Sequence, residues 1–152
     1  MPDREQLIRL YRTLTGPGRH LLRWQMDRTS GFPIAILFYH RVADDVPNDW
    51  TISCADFAMH LDWLQSEFEL VGLPEVQRRL REGRCSRPTA AISFDDGYAD
   101  NCAFAIPELL RRGIPATYFV STDFVREQKP FPHDLRAGQP LAPNTIEQIR
   151  SM

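Results

Sequence analysis

The chain has 152 residues, 43% of them hydrophobic and 25% charged, and a formal net charge of −2. That length supports one domain with a real core, and the slightly acidic balance gives no electrostatic case for a nucleic-acid partner. No apolar run approaches the ~20 residues of a membrane span. Arg4, Arg9 and Arg12 interrupt the start of the chain, so a secretory leader is not expected there. The expected location is the cytoplasm or the inner face of a membrane. Cys54, Cys85 and Cys102 form no C-x-x-C pair and read as buried or idle thiols, not as a zinc ribbon or disulfide framework.

Residues 1–30 are expected to form a helical arm and residues 31–152 the main domain. Leu7, Leu10 and Leu14 recur at helical spacing, with Ile8 and Tyr11 beside them. Gly16-Pro17-Gly18 is expected to break this pattern, before Leu21, Leu22, Trp24 and Met26 form a second apolar segment. Six arginines against three acids make residues 3–28 locally basic. Such an arm can make peripheral contact with an anionic membrane surface or simply pack on the domain with a solvated arginine face.

The unbroken apolar run at residues 34–39 reads as a buried strand, with His40 and Arg41 at its C-terminal end. After a polar loop, Ser53 and Asp56 stand in capping-box positions, and the following helix puts Phe57, Leu61, Leu64 and Phe68 on one face. A short strand is expected near Leu70 and Val71, then a helix from Glu75 to Glu82 ended by Gly83. Residues 89–94 form a strand, residues 102–112 a helix with Pro107 in an early turn, and residues 115–120 another buried strand. The alternation argues for an α/β fold with a parallel sheet. Residues 121–143 read as a long loop, the kind often functional, and Asn144 with Glu147 as the cap of a final helix. That helix has barely two turns before Met152, so the chain is expected to be a truncated piece.

The run from Ala90 to Phe94 leads directly into Asp95, Asp96 and Gly97. Two carboxylates at the C-terminal end of a buried strand occupy the place where α/β sheets keep their active sites. They repel each other and lose solvation, and a divalent cation would offset both. One acid would ligate the metal and the other would take a proton from metal-bound water. The alternative is a turn beside a helix cap, with no chemistry.

The surroundings narrow this. Phe94-Asp95-Asp96-Gly97-Tyr98 with Asp100 and Asn101, followed by Pro107, Leu109-Leu110, Gly113 and Pro115-Ala116-Thr117-Tyr118-Phe119-Val120, resembles the polysaccharide deacetylase family. These are the NodB-type enzymes, or carbohydrate esterase family four. Leu37-Phe38-Tyr39-His40-Arg41-Val42 looks like the family's opening strand, so the resemblance covers residues 34–152. It implies a distorted (β/α) barrel, here incomplete at about its first half. It also implies metal-dependent removal of N-acetyl groups from an amino-sugar polymer or glycolipid. By the same resemblance Asp95 matches the general base and Asp96 the metal ligand. His40, Tyr98 and Asn101 are then groove-lining or accessory residues.

The chain departs from the family in lacking His-(Ser/Thr)-x-x-His. Its histidines are His20, His40, His60 and His133, and no two are four apart. His20 and His60 read as packing or solvent-facing. His133, in the long loop, is an extra ligand candidate or a surface histidine. Zinc, cobalt, nickel or iron would each suit the family's Asp/His/His site and would bind this chain weakly. The isolated chain is expected to be inactive, and its open sheet edges to favour self-association. The other readings are a non-catalytic carbohydrate-binding or regulatory module and a pseudogene product.

Overall fold

The computed structural model describes residues 3–152, with backbone alone at positions 4, 5, 7–10 and 12. In chain order the elements are α1 (Arg4–Thr29), β1 (Ile34–Tyr39), β2 (Arg41–Val42), β3 (Thr51–Ile52), α2 (Cys54–Glu67), β4 (Glu69–Leu70), α3 (Leu73–Glu82) and β5 (Thr89–Phe94). A 3-10 turn at Ala99–Cys102 follows, then α4 (Ala105–Arg112), β6 (Ala116–Tyr118), α5 (Thr122–Glu127), α6 (Pro132–Arg136) and α7 (Ile146–Arg150).

The central strand is β5, buried along all of its length. β1 runs parallel to it in full register, Ile34 opposite Thr89 and Tyr39 opposite Phe94. The other side of β5 is shared: β4 pairs with Thr89 and Ala90, and β6 with Ile92, Ser93 and Phe94, again in parallel. The parallel α/β sheet expected from the strand–helix alternation is therefore present. β2 and β3 form a separate short parallel ladder beside it.

Side-chain alternation decides which face is packed. Ala90, Ile92 and Phe94 join Phe57, Leu61 and Leu64 of α2 and Ala105 and Leu109 of α4 in the main core. α2 holds its register through the foreseen cap, the Ser53 hydroxyl accepting from the Asp56 amide at 3.0 Å. The foreseen glycine stops also hold: Gly83 (φ 62°) ends α3 and Gly113 (φ 63°) ends α4 in the left-handed conformation. On the opposite face a smaller cluster of Val71, Val76 and Ala91 covers one end. At that end, the N-terminal end of the sheet, Arg79 of α3 bonds Glu69 (2.8 Å) and the Thr89 hydroxyl (2.7 Å), tying β4 to β5.

Several expectations need correction. α1 is continuous through Gly16-Pro17-Gly18, with Pro17 inside the helix. A proline forfeits one hydrogen bond, and a helix of 26 residues carries that loss without ending. β1 is not buried on both faces. Ala35, Leu37 and Tyr39 pack on the core, whereas Ile36 and Phe38 are exposed, because β1 is an edge strand. β6 is only three residues long and half-exposed. Residues 121–143 are not a plain loop: they hold α5 and α6, because Phe124, Phe131 and Leu141 pack with Tyr98 into a satellite core. The last helix is capped by Thr145 with Gln148 in the box position, not by Asn144 and Glu147.

Candidate functional site

The parallel sheet delivers the ends of β1 and β5 side by side, and this brings His40 to the Asp pair. The Asp95 amide bonds the Tyr39 carbonyl at 2.9 Å, extending the ladder one step past the strand. Asp96 then adopts φ 69° and Gly97 φ 87°. Left-handed backbone costs an L-residue roughly 1–2 kcal/mol, though Asp tolerates it better than most. Two bonds hold the conformation: the Gly97 amide to the Asp95 carbonyl (2.8 Å) and the Ser121 amide to the Asp96 carbonyl (3.0 Å). The turn leaves the Asp96 Oδ2 3.9 Å from the His40 Nε2, both side chains partly open to solvent.

Gly97 is required twice over. Its φ belongs to glycine, and a Cβ built on it would lie 3.1 Å from the Val120 Cγ1 and 3.4 Å from the Val120 Cα. Gly97→Ala is expected to lose about 1–3 kcal/mol of stability from backbone strain and the displaced Val120. Chemical denaturation measures this, and a change below about 0.5 kcal/mol, the surface-substitution range, would show the turn to be free to relax.

Tyr98 and Asn101 are fully buried, so neither lines a groove. The Asn101 Oδ1 accepts from the Val42 amide at 2.9 Å, while its Nδ2 donates to the His40 carbonyl at 2.8 Å and to the Tyr118 hydroxyl at 3.1 Å. It thus ties the backbone on both sides of Arg41 to the turn that follows the Asp pair. The Tyr98 hydroxyl donates to the buried Asp134 (2.9 Å), and burial, with that bond second, pushes its pKa upward, so it remains a donor.

Arg41, only 1% exposed, is the second anchor. Its guanidinium bonds Asp100, the carbonyls of Asp45 (2.9 Å) and Val46 (2.8 Å), and the Asp45 carboxylate (2.8 Å). It thereby clamps the loop after β2 against the turn after the Asp pair. Asn144, foreseen as a helix cap, instead bonds this turn: its amide reaches the Gly97 carbonyl at 2.8 Å, and its side-chain amide meets the Tyr118 hydroxyl at 2.8 Å. Nothing in its local sequence signals that role, since Tyr118 and Gly97 lie far from it along the chain.

The remaining histidines stand apart from this constellation. His20 and His60 are exposed on α1 and α2. His133 uses its Nε2 on the Tyr98 hydroxyl (2.7 Å) and stacks on Phe131 (centroids 5.7 Å apart), so its extra-ligand role is not assembled. Among the described residues no group of three His, Cys, Asp or Glu side chains could hold a metal ion. The donor set therefore does not fit a complete metal site: Asp96 offers a carboxylate beside one imidazole, and two donors fall short of the three protein ligands of catalytic zinc sites.

The parallel sheet thus carries two acids and an imidazole together at its C-terminal end. Residues 82–151 match the polysaccharide deacetylase family model. That segment is a little under half of the chain. YxkH of Bacillus subtilis (strain 168), whose name assigns it to the polysaccharide deacetylases, is 30% identical over 89 residues, covering 57% of this chain and 31% of its own. IcaB from Ammonifex degensii has the same fold with TM-score 0.67 and 25% identity, over 80% of this chain and 48% of that one. The de-N-acetylase from Aggregatibacter actinomycetemcomitans follows with TM-score 0.63 and 23% identity, over 78% and 50%. Streptococcus pyogenes deacetylase PplD, solved with acetate, gives TM-score 0.62 and 21% identity, over 78% and 50%. The chain spans about half the length of these solved structures and less than a third of the curated relative.

Proposed function

We propose that the chain is the N-terminal part of a (β/α)-barrel de-N-acetylase, with residues 1–30 as an arm and residues 31–152 as the first portion of the barrel domain. The whole protein hydrolyses N-acetyl groups on an amino-sugar polymer or glycolipid. The observation that supports this reading best is the Asp95-Asp96 turn with His40 3.9 Å from Asp96. Amide hydrolysis needs a base that takes a proton from water and an acid that protonates the departing nitrogen. Asp95 is the base in this reading. His40, beside Asp96, is a groove-lining or accessory residue in this reading. Asp96 is the carboxylate available to a divalent cation (zinc, cobalt, nickel or iron), which would supply Lewis-acid polarisation of the carbonyl once further donors complete the site.

Acetate release from an N-acetylglucosamine oligomer is the direct assay. Any turnover is expected to vanish in both Asp95→Asn and Asp96→Asn. Metal titration separates the two acids: Asp96→Asn is expected to weaken cobalt or zinc binding, and Asp95→Asn to leave it within a few-fold. Equal losses in both variants would overturn the division of roles. The incomplete donor set also favours a second reading, a metal-independent carbohydrate-binding module. Oligosaccharide affinity unchanged by chelator, with no acetate released, would select it.

The proposed peripheral membrane contact has the support of Leu14, Leu21, Leu22 and Trp24, all exposed on α1. The proposed self-association has that of the exposed Ile36 and Phe38 on edge strand β1. Sedimentation with and without anionic vesicles checks both. A monomer that stays in the supernatant would dismiss them.

A further inference from the structure

Trp50 is half-exposed (54%), yet its backbone is fixed on both sides. Its amide donates to the Asn48 Oδ1 at 3.0 Å, and its carbonyl accepts from the Arg41 amide at 3.3 Å. The loop that carries it is the one clamped by the buried Arg41 guanidinium. Trp24 and Trp63 are equally exposed but sit on helices α1 and α2. Only the Trp50 ring lies against His40, with centroids 4.8 Å apart, and His40 in turn meets Asp96. On its other side His40 makes an edge contact with the exposed Phe38 (centroids 5.8 Å). Phe38, His40, Asp49 and Trp50 line a shallow groove of about 190 Å³. That is below the ~300 Å³ at which drug-sized pockets begin, and suits one sugar ring more than a bulky ligand.

We propose that Trp50 is a stacking platform for a pyranose ring, and that this groove binds the sugar next to the one whose acetamide faces the Asp pair. The proposal rests on the reading of that pair as an amino-sugar site. A pyranose presents an apolar face of axial C–H groups and a rim of hydroxyls. A fixed indole with an open face matches the first, and the Asp49 carboxylate at the groove wall supplies an acceptor for the second. An aromatic platform also binds at low entropic cost, because the ring has few torsions and its backbone is already held.

The test is a titration of the 152-residue chain with tri-N-acetylchitotriose, followed by NMR of the indole N–H signals. The Trp50 signal, assigned by its absence in Trp50→Phe, is expected to shift while those of Trp24 and Trp63 stay in place. Trp50→Ala is expected to weaken binding by about tenfold and Trp50→Phe by a few-fold at most. Matching thermal transitions confirm that both variants are folded. The fully deacetylated glucosamine trimer separates this proposal from the reading beneath it. Equal Trp50-dependent binding of both trimers upholds the platform and counts against an acetamide-selective site. A preference for the acetylated trimer that survives unchanged in Trp50→Ala upholds the site and overturns the platform. Failure of the chain to bind either trimer at millimolar concentration overturns the platform as well.

Discussion

Arg41→Met is expected to destabilise the chain by about 3–5 kcal/mol, read by urea denaturation. The substitution keeps most of the volume and removes all the charge. Behind it the Asp100 carboxylate loses its buried partner, and the carbonyls of Asp45 and Val46 lose their donor. A domain of this size has roughly 5–15 kcal/mol to lose, so the variant should melt about 10 °C lower or more. Asp100→Leu alone leaves the guanidinium its bonds to the Asp45 carboxylate and the Asp45 and Val46 carbonyls, and should cost less, about 1–3 kcal/mol. The double variant should recover part of the loss, since the stranded charge is then gone. A single-variant loss below about 1 kcal/mol, the scale of an exposed pair, would mean that solvent reaches the pair and that the loop does not depend on it.

Asn101→Ala is the second large effect, expected at about 2–4 kcal/mol. The side chain is fully buried and joins three elements. Its removal leaves the Val42 amide and the His40 carbonyl facing a small void, and an unmet buried polar group costs about 1–3 kcal/mol. Asn101→Asp should not rescue. A carboxylate can accept from the Val42 amide, but it repels the His40 carbonyl that the native amide nitrogen serves. If Asp proved as stable as Asn, the bond to the His40 carbonyl would be shown to contribute nothing. His40 depends on this bond for its place, so any catalytic activity should fall together with stability.

The sequence made the local features legible wherever one residue type has one physical use. The unbroken apolar run of β5 announced a buried strand. Ser53 and Asp56 announced the cap of α2, and Gly83 and Gly113 the ends of α3 and α4. Exposure of strand faces was not legible: Ile36 and Phe38 continue an apolar run, and only the edge position of β1 turns them to solvent. The satellite core hid for a related reason. Phe124, Phe131 and Leu141 are separated by prolines and carry no period, and they cohere only because Tyr98 gives them a common partner. In the site, the Asp pair was visible from its neighbours in sequence. The approach of His40 follows from the full register of β1 with β5, which no local pattern encodes. Trp50 drew no notice, and Asn144 read only as a helix cap, because their importance lies in what other segments bring to them.

The strands of this sheet are unlike at their two ends, and mutation should respect the difference. At the N-terminal end, Arg79 ties Glu69 and Thr89 together. At the C-terminal end stand Asp95, Asp96 and His40, about six residues and ~20 Å further along the strand axis. Changes more than about 10 Å apart with no shared partner add with little coupling. The Arg79 end is therefore the region where a stabilising design can act without disturbing the acid pair. The reverse holds too, since the acid end can be varied while the far end keeps the chain folded. A sheet polarised in this way separates durability from variation, and libraries built at the acid end should leave Arg79 and its partners untouched.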